Sequence, residues 1–294
     1  MINLNNLRII AFDADDTLWD CQSHFEAVEN HLYRLIAPYC ETPSKELFLT
    51  ESGNMADLGY GCKAFTISII ETALRVAGDH LSAAELSDLL ADSKSLLHLP
   101  ATPLPEVEAT LQRLQAYPYR LVVFTKGELQ DQENKLRRSG LAKYFSHVEI
   151  TSDKTEVEFQ QLCQHLDILP SQLLMVGNSL KSDIAPALTI GASAIHIPFH
   201  VTWQLEHFED IEHERLVKIS HFNEILQILN YHTASNISLK HAWKCVTMNA
   251  TSRASSTMPT ICTMPSIPVI CSCAVLASAS PNSTNRASMP SSTA

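Results

Sequence analysis

The sequence predicts an α/β protein in which a doubly wound, Rossmann-like parallel sheet carries a small all-helical cap domain. Two observations predict this fold class. Short apolar runs rich in β-branched residues alternate with helical patterns, as in parallel sheets whose strands are joined by helices. The first run is also separated from the second by a stretch that is much too long for one crossover. The five runs are 7–12, 120–125, 147–151, 172–177 and 193–198.

Helical patterns occupy the gaps between the last four runs. They cover roughly 128–139, 156–167 and 181–190. A further helix is predicted before the second run, near 105–116, because Pro105 suits the first turn of a helix. The chain therefore alternates strand and helix from this point to the end of the last run.

Residues 18–100 are predicted to form the helical cap. Apolar residues recur at helical spacing, and no strand pattern interrupts them. The predicted helices are 22–38, 61–77 and 82–98. Ser82 and Glu85 have the spacing of a capping box at the start of the last of these. The catalytic core then comprises 1–17 and 101–232, on either side of the insertion.

The Gly53–Gly61 segment is predicted to be a cap loop that faces the active site and selects the substrate. Asn54 and Tyr60 lie in it, and Lys63 follows directly. Lys63 and Lys181 are themselves expected to be solvated, although either could meet a substrate anion.

Residues 233–294 differ in composition from the rest of the chain. They are rich in Ser, Thr, Ala, Pro and Met and contain no Asp or Glu. Without a helical or strand period over most of its length, this tail is predicted to be disordered. Three other interpretations stay open: metal binding through Cys262, Cys271 and Cys273, a docking segment, or an extension appended by a frameshift.

The overall charge limits the classes of partner. A formal net charge of -11 argues against a protein that binds nucleic acid or anionic membranes through bulk electrostatics. No apolar stretch approaches the roughly 20 residues of a membrane span, and the N-terminus does not have the pattern of a signal peptide. The chain is predicted to be cytoplasmic, with Cys21, Cys40, Cys62 and Cys163 as free thiols.

Polar residues follow four of the five apolar runs, where the carboxyl ends of parallel strands form ligand sites. Each set alone is a weak signal, but four in this order at successive strand ends indicate one site. The sets are Asp13, Asp15 and Thr17; Thr125, Lys126 and Gly127; Lys154; and Asn178 with Asp183.

These residue types suit phosphoryl transfer. A carboxylate can attack phosphorus and form an aspartyl-phosphate, and a second carboxylate two residues on can protonate the leaving oxygen and then activate water. Mg²⁺ with oxygen ligands can neutralise the phosphate charge. A hydroxyl, a lysine and backbone N–H groups, such as those at the Thr125-Lys126-Gly127 turn, can hold the remaining phosphoryl oxygens.

The motifs FDADDT, VVFTKG, the lysine of SDK and VGNSLKSDI resemble those of the haloacid dehalogenase-like superfamily, in its phosphatase branch with a helical cap. The resemblance covers about 1–230. It implies Asp13 as nucleophile and magnesium ligand, and Asp15 as acid/base with its backbone carbonyl on the metal. Thr125 and Lys154 would hold the phosphoryl group, Asp183 would ligate the metal, and Thr17 would support the first loop.

Two positions depart from the commonest pattern of that superfamily. Asp16 stands where many relatives have glycine, so its turn must accept a side chain. Asn178 stands where aspartate is frequent, which removes a charge near the metal and limits this residue to indirect contact. The histidines and tryptophan after the last run, His196, His200 and Trp203, are predicted to pack rather than to catalyse.

The leading prediction is a magnesium-dependent phosphatase that acts on a small phosphorylated metabolite. A phosphomutase would keep the same residues and differ in its cap, so this alternative stays open. A haloacid dehalogenase would not need Asp15 or magnesium. A non-catalytic binding relative would be expected to lose Asp13 or Asp15, and both are present.

Overall fold

The computed structural model describes residues 4–201 and 203–230, and within them the sheet is doubly wound and parallel, as predicted. Its six strands lie in the order β3-β2-β1-β4-β5-β6, and every neighbouring pair is parallel. The strands are β1 (Ile9–Phe12), β2 (Arg120–Lys126), β3 (His147–Thr151), β4 (Leu173–Gly177), β5 (Ser193–His196) and β6 (Leu216–Lys218).

The sheet is covered on both faces because its central strands are apolar throughout. Alternate residues of β1 point to opposite faces. Ile10 and Phe12 belong to one apolar cluster, and Ile9 and Ala11 belong to another. A strand buried on both sides reads as a continuous apolar run, which is how the sequence revealed it.

Helices flank the strands after the insertion, and a further helical stretch covers residues 224–230. Those that connect successive strands or precede β2 are α5 (Val107–Leu114), α6 (Leu129–Ser139), α7 (Glu156–His165) and α8 (Ala185–Thr189). The helix predicted at 181–190 divides in two, because residues Leu180–Ile184 form a wider π-helical turn that precedes α8. β6 was not predicted, since three residues on a half-exposed strand make no recognisable pattern.

The chain between β1 and β2 is helical, with no strand in it, as predicted. Its helices are α1 (Gln22–Ile36), α2 (Pro43–Leu58), α3 (Cys62–Ala77) and α4 (Ala83–Ser95). They pack around an apolar cluster of their own that includes Leu32, Phe65, Ile69 and Leu89. We refer to α1–α4 as the inserted helices.

The prediction of a loop over Gly53–Gly61 was wrong for most of its length. Helix α2 runs to Leu58, so only Gly59, Tyr60 and Gly61 join it to α3. The period of α2 was hidden because its buried residues, Leu47, Thr50 and Glu51, are mostly polar. The capping box at Ser82 was correct: Glu85 N–H donates to Ser82 Oγ at 3.2 Å, and Ser82 N–H donates to Glu85 Oε2 at 2.8 Å.

The predicted tail, 233–294, lies outside the described residues, as do Cys262, Cys271 and Cys273. In the part of the chain that is described, no helix combines the length and the apolar character needed to cross a membrane.

Candidate active site

Residues from the ends of β1, β2, β3 and β4 meet at one edge of the sheet. Asp13 follows β1, Thr125 is near the end of β2, Lys154 follows β3, and Asp183 lies in the turn after β4. All four side chains are buried and line one cavity of about 170 Å³. The structure therefore brings together the residues that the sequence placed at separate strand ends.

Lys154 joins two carboxylates at the floor of this cavity. Its Nζ lies 2.5 Å from Asp13 Oδ1 and 2.7 Å from Asp183 Oδ1. Burial would lower the pKa of Lys154, but the negative charges of Asp13 and Asp183 outweigh it and the pKa is raised. Lys154 is therefore a fixed positive charge beside the predicted nucleophile.

Asp13 sits in an environment that disfavours its charge. Burial and the nearby Asp183 raise its pKa to about 7, although Lys154 opposes them. The Thr17 hydroxyl lies 3.1 Å from Asp13 Oδ2 and 3.2 Å from Asn178 Oδ1. Thr17 thus links the first loop to the fourth.

The π-helical turn after β4 fixes Asp183. Ser179 N–H donates to Asp183 Oδ2 at 2.9 Å, and Ser182 N–H donates to Ser179 Oγ at 3.0 Å. Gly177 is required here by space, since a Cβ at this position would lie 2.3 Å from Asp183 Oδ2. π-helical turns are frequent at functional sites, where they redirect a side chain.

Asp15 is held by three donors. Lys135 Nζ on α6 lies 2.8 and 2.7 Å from its two carboxylate oxygens. Gln132 Nε2 donates at 2.8 Å and Trp19 Nε1 at 2.7 Å. Burial alone would raise the pKa of Asp15, but Lys135 and these hydrogen bonds lower it. In this arrangement Asp15 is a carboxylate, the form that a general base requires.

The turn accommodates the side chain of Asp16, and this side chain is hydrogen-bonded within it. Its φ is 63°, the left-handed region in which glycine is common and in which Asp is also tolerated. Its carboxylate accepts N–H groups of Cys21 and Gln22 at 2.8 and 2.9 Å. The side chain that replaces glycine therefore tethers the first turn of α1 to the catalytic loop.

Lys126 and Gly127 are less available than predicted. Lys126 Nζ donates to Glu206 Oε1 at 2.5 Å and to Ser182 Oγ at 2.8 Å, and it lies 3.8 Å from the centre of the Tyr60 ring. The Gly127 N–H donates to the Thr151 carbonyl at 2.9 Å. Both groups line the cavity, but each already has a partner within the protein.

The inserted helices supply the opposite wall of the cavity. Phe25 and Glu29 come from α1, Glu51 and Asn54 from α2, and Tyr60 from the short α2–α3 connection. Asn54 and Tyr60 thus reach the site as predicted, whereas Lys63 pairs with Glu128 and does not line the cavity. Lys181 is bound to the carbonyl of Leu205 at 2.7 Å.

The segment after β5 crosses from one wall to the other. Trp203 Nε1 donates to Glu51 Oε2 at 3.2 Å, and the Trp203 ring meets the Tyr60 ring edge-on at 5.8 Å. Glu206 accepts from Ser179 Oγ at 2.5 Å, in addition to Lys126. Trp203, which was predicted to pack rather than to catalyse, packs against Tyr60 and also lines the cavity.

The other side chains singled out in the sequence have local partners. His196 Nε2 lies 2.9 Å from the Asn178 carbonyl oxygen, and His200 Nε2 lies 3.3 Å from Ser23 Oγ. The cysteines among the described residues are free thiols, as predicted: Cys21, Cys40, Cys62 and Cys163.

Sequence reasoning missed the residues on α6 and the acids of the inserted helices. Asp131, Gln132 and Lys135 form a buried polar face of α6, with Lys135 Nζ 3.4 Å from Asp131 Oδ2. The i, i+4 spacing of Asp131 and Lys135 was visible, but the same spacing is common on solvated helix faces. No sequence pattern singled out Glu51, because its place in the cavity depends on contacts between elements far apart in the chain, such as that with Trp203.

Comparison with known proteins agrees with this geometry. The family model described as haloacid dehalogenase-like hydrolase matches residues 7–191. The glyceraldehyde 3-phosphate phosphatase of Methanothermobacter thermautotrophicus is 26% identical over 67% of this chain and 88% of its own. The human N-acylneuraminate-9-phosphatase is 30% identical over 66% of this chain and 83% of its own.

A solved structure is similar to this chain in fold and in sequence. A haloacid dehalogenase-like family hydrolase from Xanthomonas campestris superposes with a TM-score of 0.70 and is 26% identical. The match covers 78% of this chain and 93% of that one. The family model spans more than half of the present sequence, and the four motifs at the strand ends lie within it. The chain therefore belongs to the haloacid dehalogenase-like hydrolases.

Proposed function

We propose that the protein is a magnesium-dependent phosphatase that releases phosphate from a small phosphorylated metabolite through an aspartyl-phosphate on Asp13. The observation that carries this proposal is the buried Asp13–Lys154–Asp183 arrangement at the floor of the cavity. The relatives named above are called phosphatases, which supports the same reaction class.

Asp13 is placed for nucleophilic attack. One of its oxygens contacts Lys154 and the other contacts Thr17, so the carboxylate is oriented from both sides. Thr125 and Lys154 lie on the same floor and would hold oxygens of the phosphoryl group. The acyl phosphate formed on Asp13 divides hydrolysis into two easier steps.

The residues present fit a Mg²⁺ ion. Burial and the charge of Asp183 together raise the pKa of Asp13, and a further cation near the two carboxylates would stabilise their charged forms. The described residues contain no group of three His, Cys, Asp or Glu side chains arranged as metal ligands. Mg²⁺ is commonly held by one or two carboxylates with water and phosphate oxygens, so Asp13, Asp183 and the Asp15 carbonyl suffice. The ion would neutralise charge on the transferred phosphoryl group.

Asp15 would act in both steps. As the carboxylate stabilised by Lys135, it is suited to take a proton from the water that hydrolyses the acyl phosphate. In the first step it must carry a proton to the leaving oxygen, which requires it to exchange its bonds with Lys135, Gln132 and Trp19 for contact with the substrate.

A screen of phosphorylated metabolites for release of inorganic phosphate tests this function. Release is expected with Mg²⁺ and not with a chelator, and acid-quenched enzyme should yield a phosphorylated peptide that contains Asp13. A phosphomutase would convert one sugar phosphate into another without net release of phosphate. Turnover that persists in chelator, or a labelled residue other than Asp13, would refute the proposed mechanism.

A further inference from the structure

Two carboxylates in the wall formed by the inserted helices have no positively charged partner among the residues that the structure describes. Glu51 on α2 is only 7% exposed and lines the same cavity as Asp13. One of its oxygens accepts the Trp203 indole N–H, and no hydrogen bond within the described residues reaches the other. Glu29 on α1 accepts a hydrogen bond from the Tyr33 hydroxyl at 3.2 Å and also lines the cavity.

The charged form of Glu51 is disfavoured by its surroundings. Burial, with the charge of Glu29 adding to it, raises the pKa of Glu51 to about 7 even though Trp203 opposes the shift. Burial also raises the pKa of Glu29. No lysine, arginine or histidine among the described residues contributes to either environment. Buried carboxylates are normally paired with a cation, and the described side chains supply none at this wall.

Every other acid that lines the cavity already has a partner. Lys154 forms ion pairs with Asp13 and Asp183. Lys135 forms ion pairs with Asp15 and Asp131, and Lys126 forms one with Glu206. Glu128 pairs with Lys63, and Asp16 accepts two backbone N–H groups. The three lysines are the cations that line the cavity among the described residues, and none is free to receive a second anionic group of a substrate.

The surroundings of Glu51 and Glu29 suit an organic cation. The rings of Trp203 and Phe25 line the cavity on this side, and Tyr60, whose face already carries Lys126, lies beside Trp203. Ring faces attract ammonium groups, and their apolar surface can contact the carbon chain that joins an ammonium to a phosphate ester. The floor of the cavity thus carries the residues proposed to bind the phosphoryl group. We refer to the opposite wall, with Glu29, Glu51 and the aromatic rings, as the roof.

We propose that Glu51 and Glu29 form a subsite for a protonated amine, so that the preferred substrate is a phosphate monoester whose alcohol part carries an ammonium group. This inference rests on the proposed phosphatase function and names its substrate class. It also predicts discrimination against esters with a second negative group, because the roof would repel it and no free lysine would hold it.

A matched set of esters tests the subsite. Phosphate release is measured for ω-aminoalkyl phosphates of increasing length, for alkyl phosphates that replace the ammonium by methyl, and for the corresponding hydroxyalkyl and carboxyalkyl phosphates. At the length that reaches Glu51, kcat/KM for the amino ester should exceed that for the alkyl ester by about tenfold or more, since hydrogen bonds to charged groups are worth that much. The carboxyalkyl ester should be the poorest.

Glu51→Gln should bring the ratio of kcat/KM for the amino ester to kcat/KM for the alkyl ester close to one. The amide keeps the shape of the side chain and an oxygen for Trp203. Asp57→Asn is the matched control, because Asp57 is exposed on the same helix and does not line the cavity. It should keep the full preference. Glu29→Gln, expected to act in the same direction, provides a second variant if Glu51→Gln does not fold.

Equal rates for amino and alkyl esters, a preference for the hydroxyalkyl ester, or an unchanged preference in both glutamate variants would overturn the amine subsite. The phosphatase proposal would survive any of these results. If no ester releases phosphate, the phosphatase proposal fails. Calorimetric binding of amino and alkyl phosphates to the Asp13→Asn protein still decides the subsite in that case, because tighter binding of the amino ester is expected there as well.

Discussion

Asp13 is the residue on which the proposed chemistry depends most directly. Asp13→Asn removes the nucleophile's charge and keeps its size, so turnover should fall by roughly 10³-fold or more. The protein should still fold, since Lys154 keeps its contact with Asp183. Rates of phosphate release and the melting temperature measure the two effects. Asp88→Asn, an exposed change on α4, is the control. Retention of a tenth of the activity would exclude Asp13 as nucleophile.

Asp15 is predicted to matter most for poor leaving groups. Asp15→Asn removes the proton donor of the first step and the base of the second. Esters with activated leaving groups need less protonation, so their first step should be less impaired than that of alkyl esters. Single-turnover rates of both ester types measure this difference. An equal loss for both would show that Asp15 is not the general acid.

Asp183 should control the metal requirement. Asp183→Ala removes one of two carboxylates proposed to hold Mg²⁺, so the Mg²⁺ concentration for half-maximal activity should rise steeply, with partial rescue by excess metal.

Asn178→Asp adds a negative charge near the proposed ion, so it should strengthen Mg²⁺ binding or leave it unchanged. Ca²⁺ should inhibit, because its longer bonds and higher coordination number misplace the phosphoryl group. Metal titrations of activity decide this, and an Asp183→Ala enzyme with unchanged Mg²⁺ dependence would remove Asp183 from the site.

Among single residues, the sequence predicted the site residues at the strand ends but not the cavity-lining residues on helices. Asp13, Thr125, Lys154 and Asp183 follow apolar runs, so topology alone brings them together. Lys135 and Glu51 lie inside helices, where a charged residue is usually solvated. Their burial depends on how α6 and α2 pack against other elements, and one-dimensional periodicity does not encode that packing.

Among the elements, the turn after β4 has the tightest steric requirement. Gly177→Ala would place a Cβ against the Asp183 carboxylate, which would have to move away from the Ser179 N–H. Activity should fall and the Mg²⁺ requirement should rise, although the substitution lies outside the proposed ligands. Gly53→Ala on α2 is the control, since a Cβ there meets nothing within 4 Å. It should be neutral or stabilise the helix by about 0.5–1 kcal/mol. Wild-type metal dependence in Gly177→Ala would contradict this role.

Elements with a clean apolar period were predicted well, and those without one were not. β1 and β4 are buried on both faces, and α1 and α3 have marked apolar sides. By contrast, α2 buries Thr50 and Glu51, and β6 has three residues at the sheet edge. The π-helical turn at Leu180–Ile184 reads as ordinary helix, because its extra residue per turn leaves no compositional mark.

For the whole molecule, the residues before 233 should suffice for activity. All residues of the proposed site lie between Asp13 and Glu206, and the buried core of the described part extends to Leu229. A chain that ends at residue 232 should therefore fold and hydrolyse esters at the wild-type rate. A chain that ends at residue 215 is the contrast: it loses Ile219, Phe222 and Ile225 from the core and should not fold. Circular dichroism and phosphate release compare them, and an inactive 232-residue chain would show that the later segment is needed.

The separate apolar clusters of the sheet and of the inserted helices affect how this protein can acquire new specificities. The floor of the cavity is held by residues packed on the sheet, and the roof by residues packed among α1–α4. Substitutions at Glu29 or Glu51 should thus affect the stability of the fold additively with changes near Asp13, since the helices that carry them pack in a different apolar cluster from the sheet. Mutations in the roof can then change which alcohol part of a phosphate ester is accepted, while the residues around Asp13 stay the same. Substrate preference can therefore evolve through single mutations that each leave an active enzyme.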